Sequence, residues 1–304
     1  MNKIVNILKP TGMTSHDVVS CVRRILNIKK VGHTGTLDPD AAGVLPICLG
    51  RATKVSELIL NKDKSYICEL TLGIETDTYD SSGTILYRND GCSIDKSKIV
   101  QAFKLQEGEI DQIPPVYSAL KVGGKKMCDL ARKGKADSIE IKPRKVNIKK
   151  IDILNISDNK ITFYVECSKG TYVRSICHDV GAYLGCGGHM SFLLRTSSGR
   201  FDLENSITLE QLEEFSKNGT LDEYLYDVDY VLNNLLEADL KPSAKKYYTN
   251  GGTIDSKRFI VKGLKTNDEK SYLVRVYCEN IFIGVGKISK DNNTITLKSD
   301  KLFI

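Results

Sequence analysis

No stretch of this 304-residue chain approaches the roughly 18 consecutive apolar residues that a membrane-spanning helix needs, and the opening MNKIVNILKP lacks the apolar run of a signal peptide. The expectation is a cytoplasmic protein that crosses no membrane. Paired cysteine spacing is absent too: the nine cysteines are odd in number and scattered, which argues against a disulfide framework and for a reducing compartment. Cys186 and His189 keep a two-residue gap, but no second such pair completes a four-ligand zinc site. Cys177, His178 and Asp179 are adjacent, so on a helix they point about 100° apart and cannot form a nucleophile, base and orienter among themselves.

A strong overall charge is also missing. The formal net charge is only +6, yet it is unevenly placed: between Lys121 and Lys150 there are 11 Lys plus Arg against 3 Asp plus Glu, an excess of +8 that leaves −2 for the rest. Such a run reads either as a solvated loop or as a contact for a polyanion, whose counterions Lys and Arg release on binding.

The richest segment is VGHTGTLDPDAAGVLPICLGRATK at 31–54, with the carboxylate of Asp38 inside a glycine-punctuated loop. An Asp-Pro step alone fits a helix N-cap followed by proline at the first helical position. Gly32, Gly35 and Gly43 support a second reading, a main chain that turns sharply and approaches a ligand closely, with Pro39 restricting Asp38 to an extended start.

Helix and strand signals alternate along the chain. Lys3 to Leu8 reads as a strand and Pro10-Thr11-Gly12 as a turn; Ser15 caps a helix striped by Val18, Val19, Val22, Ile25 and Leu26. Ala52, Val55, Leu58 and Ile59 mark a short helix. In the next segment Tyr66, Cys68, Leu70 and Leu72 alternate as the buried side of a strand, and a helix capped near Ser93 carries Ile99, Val100 and Phe103. Ile113-Pro114-Pro115 breaks regular structure. Beyond the basic insertion, the alternation Ile161, Phe163, Val165, Cys167 predicts a strand that runs into a helix striped by Val173, Ile176, Cys177, Val180 and Leu184. Arg174 then falls in the first helical turn, where the dipole disfavours a cation by roughly 0.3 to 1 kcal/mol, so something negative is expected beside it. Thr208 to Leu236 is helical in pattern. From about Lys241, short alternating segments, Tyr272–Cys278, Ile281–Ile288 and Thr294–Leu297, separated by turns such as Asp291-Asn292-Asn293, suit a small β-barrel-like domain.

Several motifs in one order, GHTGTLDPDAAGVLPICLGRATK, LKPTGMTSHD, KSYICELTLG, PPVYSALKVGGKKM, SKGTYVRSICHDVG and HMSFLLRTSSG, resemble the TruB family of tRNA pseudouridine synthases over most of residues 1–210. The resemblance implies an α+β pseudouridine synthase fold, with a mixed, largely antiparallel sheet flanked by helices. Residues 1–236 would form the catalytic domain, with a basic insertion at about 114–150, and 237–304 a PUA-like RNA-binding domain. It implies an isomerase that turns uridine 55 of the tRNA T-loop into pseudouridine, using no metal or organic cofactor. The T-arm of tRNA is the partner; no obligate protein partner is called for and a monomer is expected.

By the same resemblance Asp38 matches the catalytic aspartate and His33 the histidine at the flipped-out nucleotide site. Tyr66 matches the tyrosine on the target base, Tyr172 a substrate-site tyrosine, Arg174 the arginine paired with the catalytic carboxylate, and Leu193 an apolar wall of the uracil pocket. The chemistry accounts for these types. An ionised carboxylate can stabilise positive charge at the sugar or add to the nucleotide and then depart; burial by a base would raise its pKa, and a paired arginine would oppose that. Asp40 and Ala42 stand where the family commonly has Leu and Thr, and Asp40 is expected to face water. Cys128 replaces the usual aromatic residue. Two rival classes are a non-catalytic RNA-binding protein and a carboxylate-dependent glycosidase, the latter needing a second carboxyl group about 5 Å away, for which Asp40 is the neighbour in sequence.

Overall fold

The computed structural model describes residues 1–91, 95–134, 141–263, 270–291 and 294–304. Its first sheet contains β1 (Ile4–Lys9), β2 (Val31–His33), β3 (Ala42–Leu49) and β4 (Lys64–Leu72). A side hairpin, β5 (Ile74–Thr76) with β6 (Ile85–Arg88), leads to β7 (Gly108–Gln112), and a second small hairpin is β8 (Lys121–Val122) with β9 (Lys125–Lys126). The sheet is completed by β10 (Arg144–Ser157), β11 (Lys160–Cys167), β12 (Gly188–Ser198), β13 (Phe201–Asp202) and β14 (Leu225–Tyr226). The strand order is β14-β1-β3-β12-β4-β11-β10-β7, with β2 on β3 and β13 on β12. All pairs are antiparallel except β3 with β12, which run parallel for two residue pairs, Leu194 with Ala42 and Arg195 with Gly43.

Helices cover this sheet where their apolar faces require it. They are α1 (Ser15–Ile25), α2 (Ser56–Leu60), α3 (Lys96–Lys104), α4 (Met127–Ala131), α5 (Val173–Tyr183) and α6 (Leu209–Asn218). Val18, Val19 and Val22 of α1 pack with Leu212 of α6 on Val5, Ile7, Leu45 and Ile47, while Ile176, Cys177 and Val180 of α5 and Ile99 and Phe103 of α3 pack on Cys68, Leu70, Phe163 and Val165. The alternation expected of β4 and β11 is therefore the one that buries the core face. Val100 differs: it is exposed, because on α3 it points away from the face shared by Ile99 and Phe103.

Two helix ends depart from expectation, at α1 and α6. Thr14, not Ser15, caps α1, in a capping box with Asp17, which frees the Ser15 hydroxyl for another partner. Asp95 caps α3, and Ser93 lies outside the described residues. The helical pattern of 208–236 yields only α6, closed by Gly219 at φ 74, followed by short 3-10 turns at Leu221–Tyr224 and Val228–Leu232. Of the basic insertion, residues 135–140 lie outside the described residues.

A second, six-stranded sheet contains β15 (Leu236–Leu240), β16 (Ile254–Asp255), β17 (Phe259–Lys262), β18 (Ser271–Cys278), β19 (Ile281–Asp291) and β20 (Thr294–Leu302), in the order β16-β20-β19-β18-β15-β17. Helix α7 (Pro242–Thr249) packs Ala244 and Tyr248 on it. Asn292 and Asn293 of the expected turn lie outside the described residues. Val285 of this sheet and Phe303 just beyond β20 share a core with Ile4, Val44, Phe201 and Val231, so the two sheets are joined by apolar packing.

Candidate active site

The Asp38 loop is held by its main chain. Lys9, the fully buried last residue of β1, donates from Nζ to the carbonyls of Pro10 at 2.8 Å, Pro39 at 3.0 Å and Ala41 at 2.6 Å. Burial pulls its ammonium down to about 8 against the opposing charges of Asp38 and Asp40. The Ser15 hydroxyl, released from capping, accepts the Leu37 N–H at 2.8 Å and donates to the Leu37 carbonyl at 3.2 Å. The Gly12 N–H reaches the Pro39 carbonyl at 2.9 Å, and Ala41 N–H closes a turn on the Asp38 carbonyl at 3.1 Å. No helix begins at Pro39, so Asp38 is not an N-cap; the turn runs straight into β3. Gly43, at φ 118, lies where β3 meets β12, and a Cβ there would collide with the Arg195 backbone. Gly32 has no such constraint, since a Cβ would meet only ordinary contact with Thr53.

Arg174 supplies the other half. It occupies the first turn of α5, whose N-cap Tyr172 has no side-chain cap bond; Gln112 instead pairs with both the N–H and the carbonyl of Tyr172 at 2.8 and 3.0 Å. The four Nη N–H groups find hydrogen-bond acceptors, and Nε lies at ion-pair distance from a carboxylate. Nε faces Asp38 Oδ2 at 3.2 Å, and Nη2 faces Asp38 Oδ1 at 3.4 Å and the Tyr117 carbonyl at 3.1 Å. Nη1 takes Asp80 Oδ2 and the Thr78 carbonyl, both at 3.1 Å. The negative neighbour that the helix position calls for is thus two carboxylates.

Asp80 carried no distinguishing signal in the sequence, where TDTYDSSGT reads as an ordinary polar turn. Its Oδ1 accepts from the Thr78 hydroxyl at 2.7 Å, the Ser82 N–H at 3.0 Å and the Ser82 hydroxyl at 2.6 Å. Both oxygens are therefore occupied as acceptors. Asp40, by contrast, is exposed, as expected.

Asp38, Asp80, Arg174 and Leu193 line one cleft of about 340 Å³, together with Tyr117, Phe192 and, from the basic insertion, Cys128 and Arg132. The Asp38 side chain is 37% exposed toward it. Burial raises the Asp38 pKa above the ordinary carboxylate value, Arg174 opposes the rise and Asp80 adds to it. The arrangement provides a carboxylate aimed into a nucleotide-sized cleft, with a guanidinium fixed behind it.

The remaining sequence candidates sit around this centre rather than in it. Tyr66 is buried in the core cluster that also holds Leu37, Ala41 and Leu193; burial pushes its hydroxyl up to about 12, and it shares a hydrogen bond with the fully buried Arg195. His33 ends β2 and accepts the Gly35 N–H at Nδ1, 3.3 Å; burial and then Arg195 lower its pKa, and it does not line the cleft. Tyr172 lies behind the cleft, its pKa raised by burial and moderated by the Ser118 hydroxyl. The sequence marks none of Lys9, Asp80 and Tyr117 for this site and marks Ser15 only as a helix cap; Lys9, a lysine ending an apolar strand before proline, carries a hint.

Residues 23–173 match the TruB family pseudouridylate synthase N-terminal domain, and residues 174–233 match the tRNA pseudouridylate synthase B C-terminal domain. The chain belongs to the TruB family. It is 67% identical over its full length to the full length of tRNA pseudouridine synthase B of Clostridioides difficile. Identity to the protein of the same name from Alkaliphilus oremlandii is 48%, covering 98% of this chain and 97% of that one. Among solved structures, a chain in an H/ACA RNP bound to a substrate RNA containing 2'-deoxyuridine superposes with a TM-score of 0.74 at 28% identity, covering 99% of this chain and 85% of the other. Both sheets and the helices that cover them are thus shared with that chain.

Proposed function

We propose that this TruB-family chain isomerises uridine 55 in the T-loop of tRNA to pseudouridine, with Asp38 as nucleophile. The observation that carries the reading is the side-on pairing of Asp38 with Arg174 at the wall of the cleft; the relatives' shared name, tRNA pseudouridine synthase B, supplies the substrate class. The isomerisation conserves every atom of the nucleotide. The C1'–N1 glycosidic bond breaks, the base turns, C1'–C5 forms, C5 loses a proton and N1 gains one. Asp38 adds and departs unchanged, which an ionised carboxylate can do without a second acid.

A uridine stacked in a folded loop reaches Asp38 only after extrusion, at a cost of a few kcal/mol. The family resemblance assigns the stacking partner to Tyr66, which is buried beside the cleft and would return about 1 to 3 kcal/mol only once uncovered; Leu193 walls the uracil, and Tyr172 and His33 support the substrate side from outside the cleft lining. Residues 1–236 act as the catalytic unit and 237–304 as an RNA-binding domain, with the basic insertion over the cleft. A retaining glycosidase would need a second free carboxyl: Asp80 is engaged with Arg174, Thr78 and Ser82, which leaves Asp40, exposed at the same cleft, as the candidate that product analysis tests.

The test is incubation of the purified protein with unmodified T-arm RNA and mapping of pseudouridine. Product at position 55, lost in Asp38→Asn while RNA binding persists, supports the reading. Free uracil would indicate a glycosidase, and binding without product a non-catalytic RNA-binding protein.

A further inference from the structure

Residues 78–80 lie along two successive turns of α5. Thr78 and Asp80 both engage Arg174, whereas Tyr79 between them stacks flat on His178, with ring centroids 3.9 Å apart and planes 10° apart. Arg174 and His178 are i and i+4 on one helix, so they present neighbouring points on the same face. Tyr79 also has φ 62, in the left-handed region that a bulky residue rarely enters. Its main chain is tied on both sides, N–H to the Thr76 carbonyl at 3.2 Å and carbonyl to the Met190 N–H at 2.9 Å.

Rotation about the Tyr79 N–Cα bond toward a negative φ would swing the Thr78 carbonyl away from Arg174 and carry Asp80 with it. A glycine would hold this conformation without strain, yet the chain has a tyrosine, and the contact that compensates is the His178 ring. The titratable groups around that ring are Glu75, whose Oε1 is 3.5 Å from His178 Nδ1, Tyr79 itself and Asp179 on the same helix. None of them touches the cleft.

We infer that the Tyr79–His178 stack is a positioning element for the catalytic centre: it locks the left-handed turn that delivers the Thr78 carbonyl and the Asp80 carboxylate to Arg174, and so fixes the guanidinium against Asp38. The inference rests on the reading of Asp38 and Arg174 as the reacting pair. It concerns orientation, not substrate contact, so its loss affects the chemical step and not RNA affinity.

Single-turnover pseudouridine formation on T-arm RNA, with the full-length protein, provides the test. His178→Ala and Tyr79→Ala each lower the limiting rate about tenfold while the half-saturating concentration stays within about twofold. His178→Phe, which keeps a flat ring but loses Nδ1, restores the rate to within about twofold of wild type. On an Asp80→Ala background, His178→Ala costs clearly less than it does alone, because only the Thr78 carbonyl is left for the stack to position. The inference is overturned if His178→Phe is as slow as His178→Ala, if the losses multiply on that background, or if half-saturation moves as much as the rate. Failure of the parent reading looks different: wild type forms no pseudouridine, or Asp38→Asn still does, and the positioning role falls with it.

Discussion

Arg174 grips Asp38 side-on, Nε on one carboxylate oxygen at 3.2 Å and Nη2 on the other at 3.4 Å, while its far edge is held by Asp80. The guanidinium is thus a plate between two carboxylates, with two backbone carbonyls filling its remaining donors. That geometry uses the planar fork of arginine, which no lysine reproduces.

Arg174→Lys keeps the charge but supplies three donors from one point instead of five in a plane. The expected outcome is a fall of about 10²- to 10³-fold in the single-turnover rate, with T-arm RNA affinity changed only a few-fold. A rate within threefold of wild type would reduce the fork to a source of charge.

The raised Asp38 pKa places the acid limb of the rate profile above the ordinary value of 3.8. The sign follows from the active form: Asp38 must be ionised, so the rate falls as pH drops through the raised folded-state value. Arg174→Gln removes the opposing charge and moves that limb still higher. Rate measurements from pH 4 upward, as far as RNA and protein stay intact, check both shifts.

Lys9 and Ser15 hold the loop without touching the cleft. Lys9→Met strands the carbonyls of Pro10 and Ala41, at about 1 to 3 kcal/mol each if they stay dry, while Pro39 keeps the Gly12 N–H, so a stability loss on the order of 3 kcal/mol is expected by denaturant unfolding. Ser15→Ala removes only the clasp on Leu37 and costs about 1 kcal/mol, with a larger effect on rate than on RNA affinity.

Charge in the insertion is not all available to a polyanion. Lys149 pairs with Asp63 at 2.6 Å and Lys150 with Asp152 at 2.6 Å. Replacing Lys121, Lys125, Arg132 and Lys133 by Gln should flatten the salt dependence of T-arm RNA binding, by roughly 0.7 to 0.9 in slope for each phosphate that is no longer neutralised. Replacing Lys149 and Lys150 should change the slope less. Equal slopes in all three proteins would assign the run to solvent.

Local pattern was enough for the elements whose own periodicity buries them. The alternation through Tyr66, Cys68, Leu70 and Leu72 and the stripe through Val173, Ile176, Cys177 and Val180 needed no partner to be read, because strand and helix periods separate the two faces of each element. Arg174 could be marked from its place at a helix N-terminus, where an unpaired cation is unfavourable. The cap at Thr14, boxed with Asp17, and the end of α6 at Gly219, in the left-handed conformation, are both set by local chemistry that the apolar stripe does not register.

What the amino-acid order determined by itself was the family, the strands and helices with one apolar face, and the need for negative charge beside Arg174. What only the tertiary structure decided was which carboxylates answer that need. Asp38 and Asp80 lie 136 and 94 positions from Arg174, and nothing local distinguishes Asp80 from other acids in polar turns. The choice is made where β12 brings Met190 against Tyr79 and Ser81, since a charge–charge contact depends on distance in space while the chain records only distance along itself.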